Sequence, residues 1–281
     1  MPSRPTRFGV NLDAQGPVSE LVQQSRRAEH IGFDVVLLPD HLEHHAPLPT
    51  LVALAQAAPS VRVGNLVLNA CFYRPALLAR DLASVDAAVG GRLEIGLGAG
   101  WAEAEFLAAG LSFPTPGARV SQLTEHIIQI RQLLSSSDYV PAPTQSPPPI
   151  LVGGVGDRLL AMAAVHADIV AIACAGVESD LAERVDYVKM HAGPRIDQIE
   201  LAFSFFHVSI ADPTDPMSQR GPAGGADQEL PQPVAVLTGS ISEAAERIRR
   251  LHRELGITYF TFNKTPDTSW ETLEKLISAV K

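Results

Sequence analysis

Asp40 and His41 stand side by side where Val35-Val36-Leu37-Leu38, an unbroken apolar run, stops at Pro39. An imidazole that titrates near neutrality, set beside a carboxylate, can pass a proton to or from a substrate oxygen. That makes His41 the best acid/base candidate in the chain, with a hydrogen-bonded structural histidine as the alternative. His44 and His45 follow in His41-Leu42-Glu43-His44-His45. Their spacing matches neither H-E-x-x-H nor H-x-x-E-H, and no cysteine pair joins them, so a solvated loop is expected there and no metal.

A second chemistry is written in Gly153-Gly154-Val155-Gly156-Asp157-Arg158, between the apolar Ile150-Leu151-Val152 and a helical pattern. Bare backbone N–H groups at a helix N-terminus, with the helix dipole behind them, attract an anion such as a phosphate, and Arg158 adds a charge. A tight turn capped by Asp157 would account for fewer of the three glycines. Gly98-Ala99-Gly100-Trp101 closes another apolar run. The run Gly96-x-Gly98-x-Gly100 is no dinucleotide fingerprint, because its third glycine comes one place early. Trp101 is placed to stack on a planar ring or to close off the fold. Serine hydrolysis has no support, since no G-x-S-x-G elbow occurs.

These residues need elements to hold them. Apolar runs at 8–12, 35–38, 61–68, 92–96, 150–152, 169–174, 201–210 and 259–262 read as strands. Between them lie helical patterns: one from about Val18, one over 49–58, and one opened by Arg74-Pro75 and stopped by Gly90-Gly91. Further helices are expected over 120–133, 157–166 and 179–190, after the capping box Ser240-Ile241-Ser242-Glu243, and over 270–280. Residues 135–149 form a linker with five prolines, and 212–233 a polar surface loop rich in glycine and proline. Eight strands alternating with eight helices predict an α/β fold, a TIM (β/α)8 barrel in a single domain over 1–281, with a doubly wound sheet as the rival.

In a barrel the strand C-termini meet at one mouth. There the sequence places Asn11, Asp40-His41, Asn69, Gly98-Ala99-Gly100, Gly153-Gly154, Cys174, His207 and Asn263. Cys71, just past Asn69, and His207 between aromatic neighbours are further pocket candidates, though packing explains both as well.

The 281 residues are 46% hydrophobic and 19% charged, enough to bury a sizeable core. A net charge of -9 argues against a nucleic-acid partner. No apolar stretch reaches the roughly 18 residues of a membrane span. MPSRPTRF carries no apolar signal-peptide core, and Cys71 and Cys174 read as free thiols, so a cytoplasmic location is expected.

RAEHIGFDVVLLPDH, RVGNLVLNACFYRPALLARDLASVD, GGRLEIGLGAGWAEAEF and PPPILVGGVGDRLLAMAAVHADIV, in that order, carry a resemblance that extends over nearly the whole chain. Together they resemble the luciferase-like monooxygenase superfamily, and within it the actinobacterial oxidoreductases that use the deazaflavin coenzyme F420. The resemblance implies a bacterial luciferase-like TIM barrel, usually a homodimer, with F420 or FMN at its mouth and a small-molecule substrate. It places Asp40 by the deazaflavin ring and makes His41 the proton donor or acceptor while hydride moves to or from the ring's C5. Asn69-Ala70 would form a bulge, often a non-prolyl cis peptide, behind the ring. Ala99 and Gly100 would touch the cofactor; Gly153, Gly154, Gly156 and Asp157 would hold its phosphate. Asn11, Cys71, Trp101 and His207 are left for the substrate pocket.

Relatives carry a longer excursion before the fifth strand, with a Gly-x-x-Tyr segment, and a longer insertion before the seventh helix. Both help cover the substrate side there. Here they shrink to 135–149 and 212–233, which predicts a more open pocket or altered chemistry. The leading expectation is an F420-dependent oxidoreductase. The alternatives are an FMN-dependent monooxygenase and a redox-inactive barrel that binds a ligand or does cofactor-independent biosynthesis.

Overall fold

A computed structural model describes residues 4–210 and 233–281. The chain runs β1 (Arg7–Leu12), α1 (Val18–His30), β2 (Val35–Leu38), α2 (Pro47–Ala57), β3 (Arg62–Asn65), β4 (Leu68–Asn69), α3 (Pro75–Ala88), β5 (Leu93–Gly98), α4 (Glu103–Ala108) and α5 (Pro116–Leu134). It continues with β6 (Ile150–Gly154), α6 (Asp157–His166), β7 (Ile169–Ile172), α7 (Glu178–Ala192), β8 (Glu200–Phe205), β9 (His207–Ile210), β10 (Val236–Gly239), α8 (Ile241–Leu255), β11 (Ile257–Lys264) and α9 (Trp270–Val280). The main sheet has the order β3-β2-β1-β11-β8-β7-β6-β5-β4 and closes through a β3–β5 pairing. Every pairing is parallel. With β3 and β4 counted as one broken strand, this is an eight-stranded (β/α)8 barrel with its helices outside.

Alternation along the strands sorts the side chains. Phe8, Val10, Val36, Leu38, Phe203, Phe205, Phe260 and Phe262 belong to the outer core beneath the helices and are fully buried. Val35, Leu37, Leu151, Ile169, Ala171, Ala202 and Tyr259 fill the barrel interior. The bottom is ionic. Arg7 lies 2.7 Å from both Glu94 and Glu200, and Arg62 Nε donates to Glu94 at 2.8 Å. The Arg7 guanidinium also rests 4.1 Å from the Tyr259 ring centroid. Side chains thus plug the lower barrel, and a cavity opens toward the strand C-termini.

The helix ends follow their sequence signals. Ser240 Oγ accepts from the Glu243 N–H while the Glu243 carboxylate accepts from the Ser240 N–H, the expected capping box. Gly256 ends α8 at φ 77°.

The expected strands need correction in two places. The third strand, expected over 61–68, stops at Asn65; Leu66 and Val67 turn inward across a non-prolyl cis peptide before β4 resumes. Glycines on β5 admit that turn, since a Cβ on Gly96 would lie 1.7 Å from Asn65 O. The run over 201–210 is two strands: β8 stays in the barrel, while β9 leaves it to pair with β10 in a separate parallel sheet. An apolar run cannot show a change of sheet. Helix α4 falls in a stretch to which the sequence reading assigns no element.

The linker over 135–149 does not reach the mouth. Gln145 is bonded to Asp86, Leu93 O and Arg62, and Pro149 O accepts from the Ile95 N–H, so the segment straps the opposite end of the barrel. A loop leading from a helix into a strand must lie on that face. The loop expected over 212–233 lies, but for Pro233, outside the described residues.

Candidate functional site

A cavity of about 670 Å³ opens at the strand C-termini. Its wall includes Asn11, Asp40, His41, Asn69, Ala99, Gly100, Trp101, Gly153, Gly154, Gly156 and Asp157, drawn from five different strand ends. Ala70, Cys71 and His207 do not line it. Ala70 is fully buried in the outer core, His207 is held in β9 against Val236, and Cys71 is buried with its Sγ 3.6 Å from Ala99 O. Burial pushes the Cys71 thiol up, only partly offset by the Arg119 charge, so it stays protonated.

His41 Nδ1 lies 2.7 Å from Glu105 Oε1. Glu105 sits on α4, which the chain forms just after the glycine turn, and both side chains are only partly exposed. The His41 ring also has edge-to-face neighbours in His44 at 5.2 Å and Trp101 at 6.5 Å between centroids. His44 is therefore not the solvated residue expected: its side chain is only 11% exposed. His45 is exposed and bonded to Gly16 O.

Asp40 accepts hydrogen bonds from the Asn69 N–H at 3.0 Å and the Tyr73 O–H at 3.2 Å. Burial nevertheless holds its carboxyl above the usual carboxylate range, the two bonds offsetting part of that cost. Burial, then the charge of Asp40, raises the Tyr73 phenol, so it remains a donor. Asn69 Oδ1 accepts from the Cys71 N–H and packs against Gly100, whose φ of +70° and missing Cβ let the two chains meet.

The floor is apolar. Leu66 and Val67 line it, and Val67 lies close over Gly98 and Gly153. The bulge expected at Asn69-Ala70 is thus formed three residues earlier, by Leu66-Val67. Across the mouth, the first residues of α6 line the cavity, and its N-cap residue Gly156 supplies no side-chain acceptor for their amides. The Asp157 carboxylate is turned to Arg184, so only its backbone is available to a ligand. Arg158 lines the same corner, bonded to Ser121 Oγ at 2.8 Å. Arg119 is buried between Gly100 O, Pro114 O and the Phe113 ring.

Sequence reading missed Glu105, Arg119, Leu66, Val67 and Ser204. The Glu103-Ala104-Glu105 pair after the glycine turn was a signal for the first; nothing local marks the others.

Comparison with known proteins agrees with this layout. The chain is 34% identical over 140 residues to an F420-dependent glucose-6-phosphate dehydrogenase of Amycolatopsis mediterranei, a match over 47% of this chain and 42% of that protein. It is 32% identical over 128 residues to a 5,10-methylenetetrahydromethanopterin reductase of Methanolobus tindarius, over 46% of this chain and 38% of the relative. The matched stretch thus spans well under half the length of each. Among solved structures, the coenzyme F420-dependent tetrahydromethanopterin reductase of Methanopyrus kandleri superposes with a TM-score of 0.79 at 18% identity, covering 99% of this chain and all of that one. An F420-dependent secondary alcohol dehydrogenase bound to an F420-acetone adduct gives 0.79 at 21% identity, with the same coverage. These likenesses show the fold. The sequence model of the luciferase-like monooxygenases matches residues 3–255, and the chain belongs to that family of oxidoreductases.

Proposed function

We propose that the protein binds coenzyme F420 across the barrel mouth and transfers a hydride between it and a small organic substrate. The observation that carries this is the His41–Glu105 pair, at 2.7 Å, on the rim of a cavity whose far wall is a glycine-capped helix N-terminus. The space fits the group: about 670 Å³ lies within the range of small-molecule sites, and the apolar floor suits a planar ring. The uncapped amides of α6 and the Arg158 guanidinium suit its phosphate.

A bound deazaflavin supplies the carbon that accepts or releases hydride. The residues of the chain do the rest. Glu105 occupies Nδ1 of His41 and so fixes the ring, leaving the other nitrogen to hold or give the proton at the substrate oxygen. Asp40, held by Asn69 and Tyr73, sits beside that ring. Leu66 and Val67 bed the cofactor, and Trp101 narrows the opening to water.

F420 is preferred because relatives at 34–36% identity are named for it. Titrating the purified protein separately with F420 and FMN, following fluorescence quenching, is the test. Tight binding of F420 alone is expected. FMN binding alone would move the reading to a flavin monooxygenase, and binding of neither to a barrel without redox chemistry.

A further inference from the structure

The mouth is divided by charge. Around the rim β1 faces β6 and β11 faces β5. The lining cations Arg119 and Arg158 belong to α5 and α6, on the β5–β6 side, and both are already bonded to protein groups. On the facing arc, β8, β11 and β1 contribute Ser204, Phe206, Asn263 and Asn11. Among the described lining residues that arc holds no cation, while the acids Asp40 and Glu105 stand beside it with His41. Lys264, one residue past Asn263, is turned away to Thr265 O and the Trp270 ring.

This arc is polar without being charged. Asn11 and Asn263 are paired in register, and Asn11 Nδ2 donates to Asn263 Oδ1 at 3.3 Å. Ser204 Oγ is bonded to Thr261 Oγ1 at 2.7 Å. Asn11 Oδ1 is buried and accepts no hydrogen bond. An acceptor buried so carries an unmet desolvation cost until a donor reaches it. β1 adjoins β2, so this acceptor lies one strand from His41.

We propose that the substrate is an uncharged hydroxyl compound, or the carbonyl compound related to it, that places an O–H or N–H donor on Asn11 Oδ1. A phosphorylated sugar, the substrate named for several relatives, would meet no cation among the described lining residues of this arc, and would have the Asp40 carboxyl beside it. The inference rests on the F420 reading. In the oxidising direction the carbinol C–H bond breaks, its hydride passing to the oxidised deazaflavin. The O–H proton passes to His41, and a C=O bond remains.

The test uses the full chain loaded with F420 and matched probes differing by one phosphate: glucose against glucose 6-phosphate, and glycerol against glycerol 3-phosphate. Loss of oxidised cofactor gives kcat/KM, and the melting temperature of the holoenzyme with each probe gives binding without turnover. The neutral member of a pair is expected to give at least about tenfold higher kcat/KM, about 1.4 kcal/mol, and the larger melting shift. Asn11→Leu is expected to lose about that factor in kcat/KM while keeping its F420 affinity. Equal or better use of the phosphate esters, or a holoenzyme answering to neither neutral probe, would overturn the substrate class. Failure to bind F420 at all would instead overturn the function on which it rests.

Discussion

His41 and Glu105 are 64 residues apart in the chain and 2.7 Å apart in space, each brought to the same rim by the element that follows its own strand. A histidine fixed at one ring nitrogen acts through the other. His41→Ala is therefore expected to lower kcat by roughly 10²–10⁴-fold with little change in F420 affinity. Glu105→Gln keeps a hydrogen-bonding partner without the charge and should lose less. Equal losses in kcat and in cofactor affinity for His41→Ala would mean that it positions the ring and moves no proton.

Gly156 probes the anion corner. A Cβ there would meet nothing within 4 Å, and the residue's φ of −72° suits alanine. Gly156→Ala should therefore cost stability no more than a fraction of about 1 kcal/mol at the helix cap. If a phosphate docks on those amides, the added methyl group weakens F420 binding by about tenfold or more. Unchanged affinity in a fluorescence titration would place the phosphate elsewhere.

Burial raises the Asp40 carboxyl, and the sign of its effect on stability follows. Between the ordinary value of about 3.9 and the folded one, the native chain keeps a proton that the unfolded chain has released. Stability from this group is thus present below the ordinary value and is lost as pH rises through the folded value. Asp40→Asn has no such slope. Urea melts from about pH 4 upward should show the wild type losing ground to the variant as pH rises, then running level. Parallel curves throughout would contradict the buried-acid account.

Asp86 is fully buried, and Gln145 gives it both its backbone N–H at 2.8 Å and its side-chain amide at 2.7 Å. Gln145→Ala removes the second bond and those to Leu93 O and Arg62. A loss of about 1–3 kcal/mol in urea unfolding is expected, with holoenzyme kcat/KM unchanged because the strap lies at the end away from the mouth. A matching fall in activity would show the two ends to be coupled.

Strand-ending residues were legible because the physics is local. An apolar run that stops at Asp40-His41 or at Gly153-Gly154 shows where a chain leaves the core, and the parallel topology then gathers those ends. Asn11, Asp40, His41 and the glycines fell together for that reason. Glu105 and Arg119 were harder, since they matter through partners far along the chain. Leu66 and Val67 look like ordinary strand residues, and only the glycines across from them on β5 allow them to turn inward. The 135–149 linker cannot cover the mouth, because a connection from a helix into a strand lies at the opposite end of the barrel.

Arg7, Arg62, Glu94 and Glu200 tie β1, β3, β5 and β8 together at the base, at the end opposite the mouth. Half the staves are hooped at one end while the candidate catalytic groups hang from the other. New specificities could then be grafted onto the upper loops, by evolution or by hand, with the cask still holding its shape.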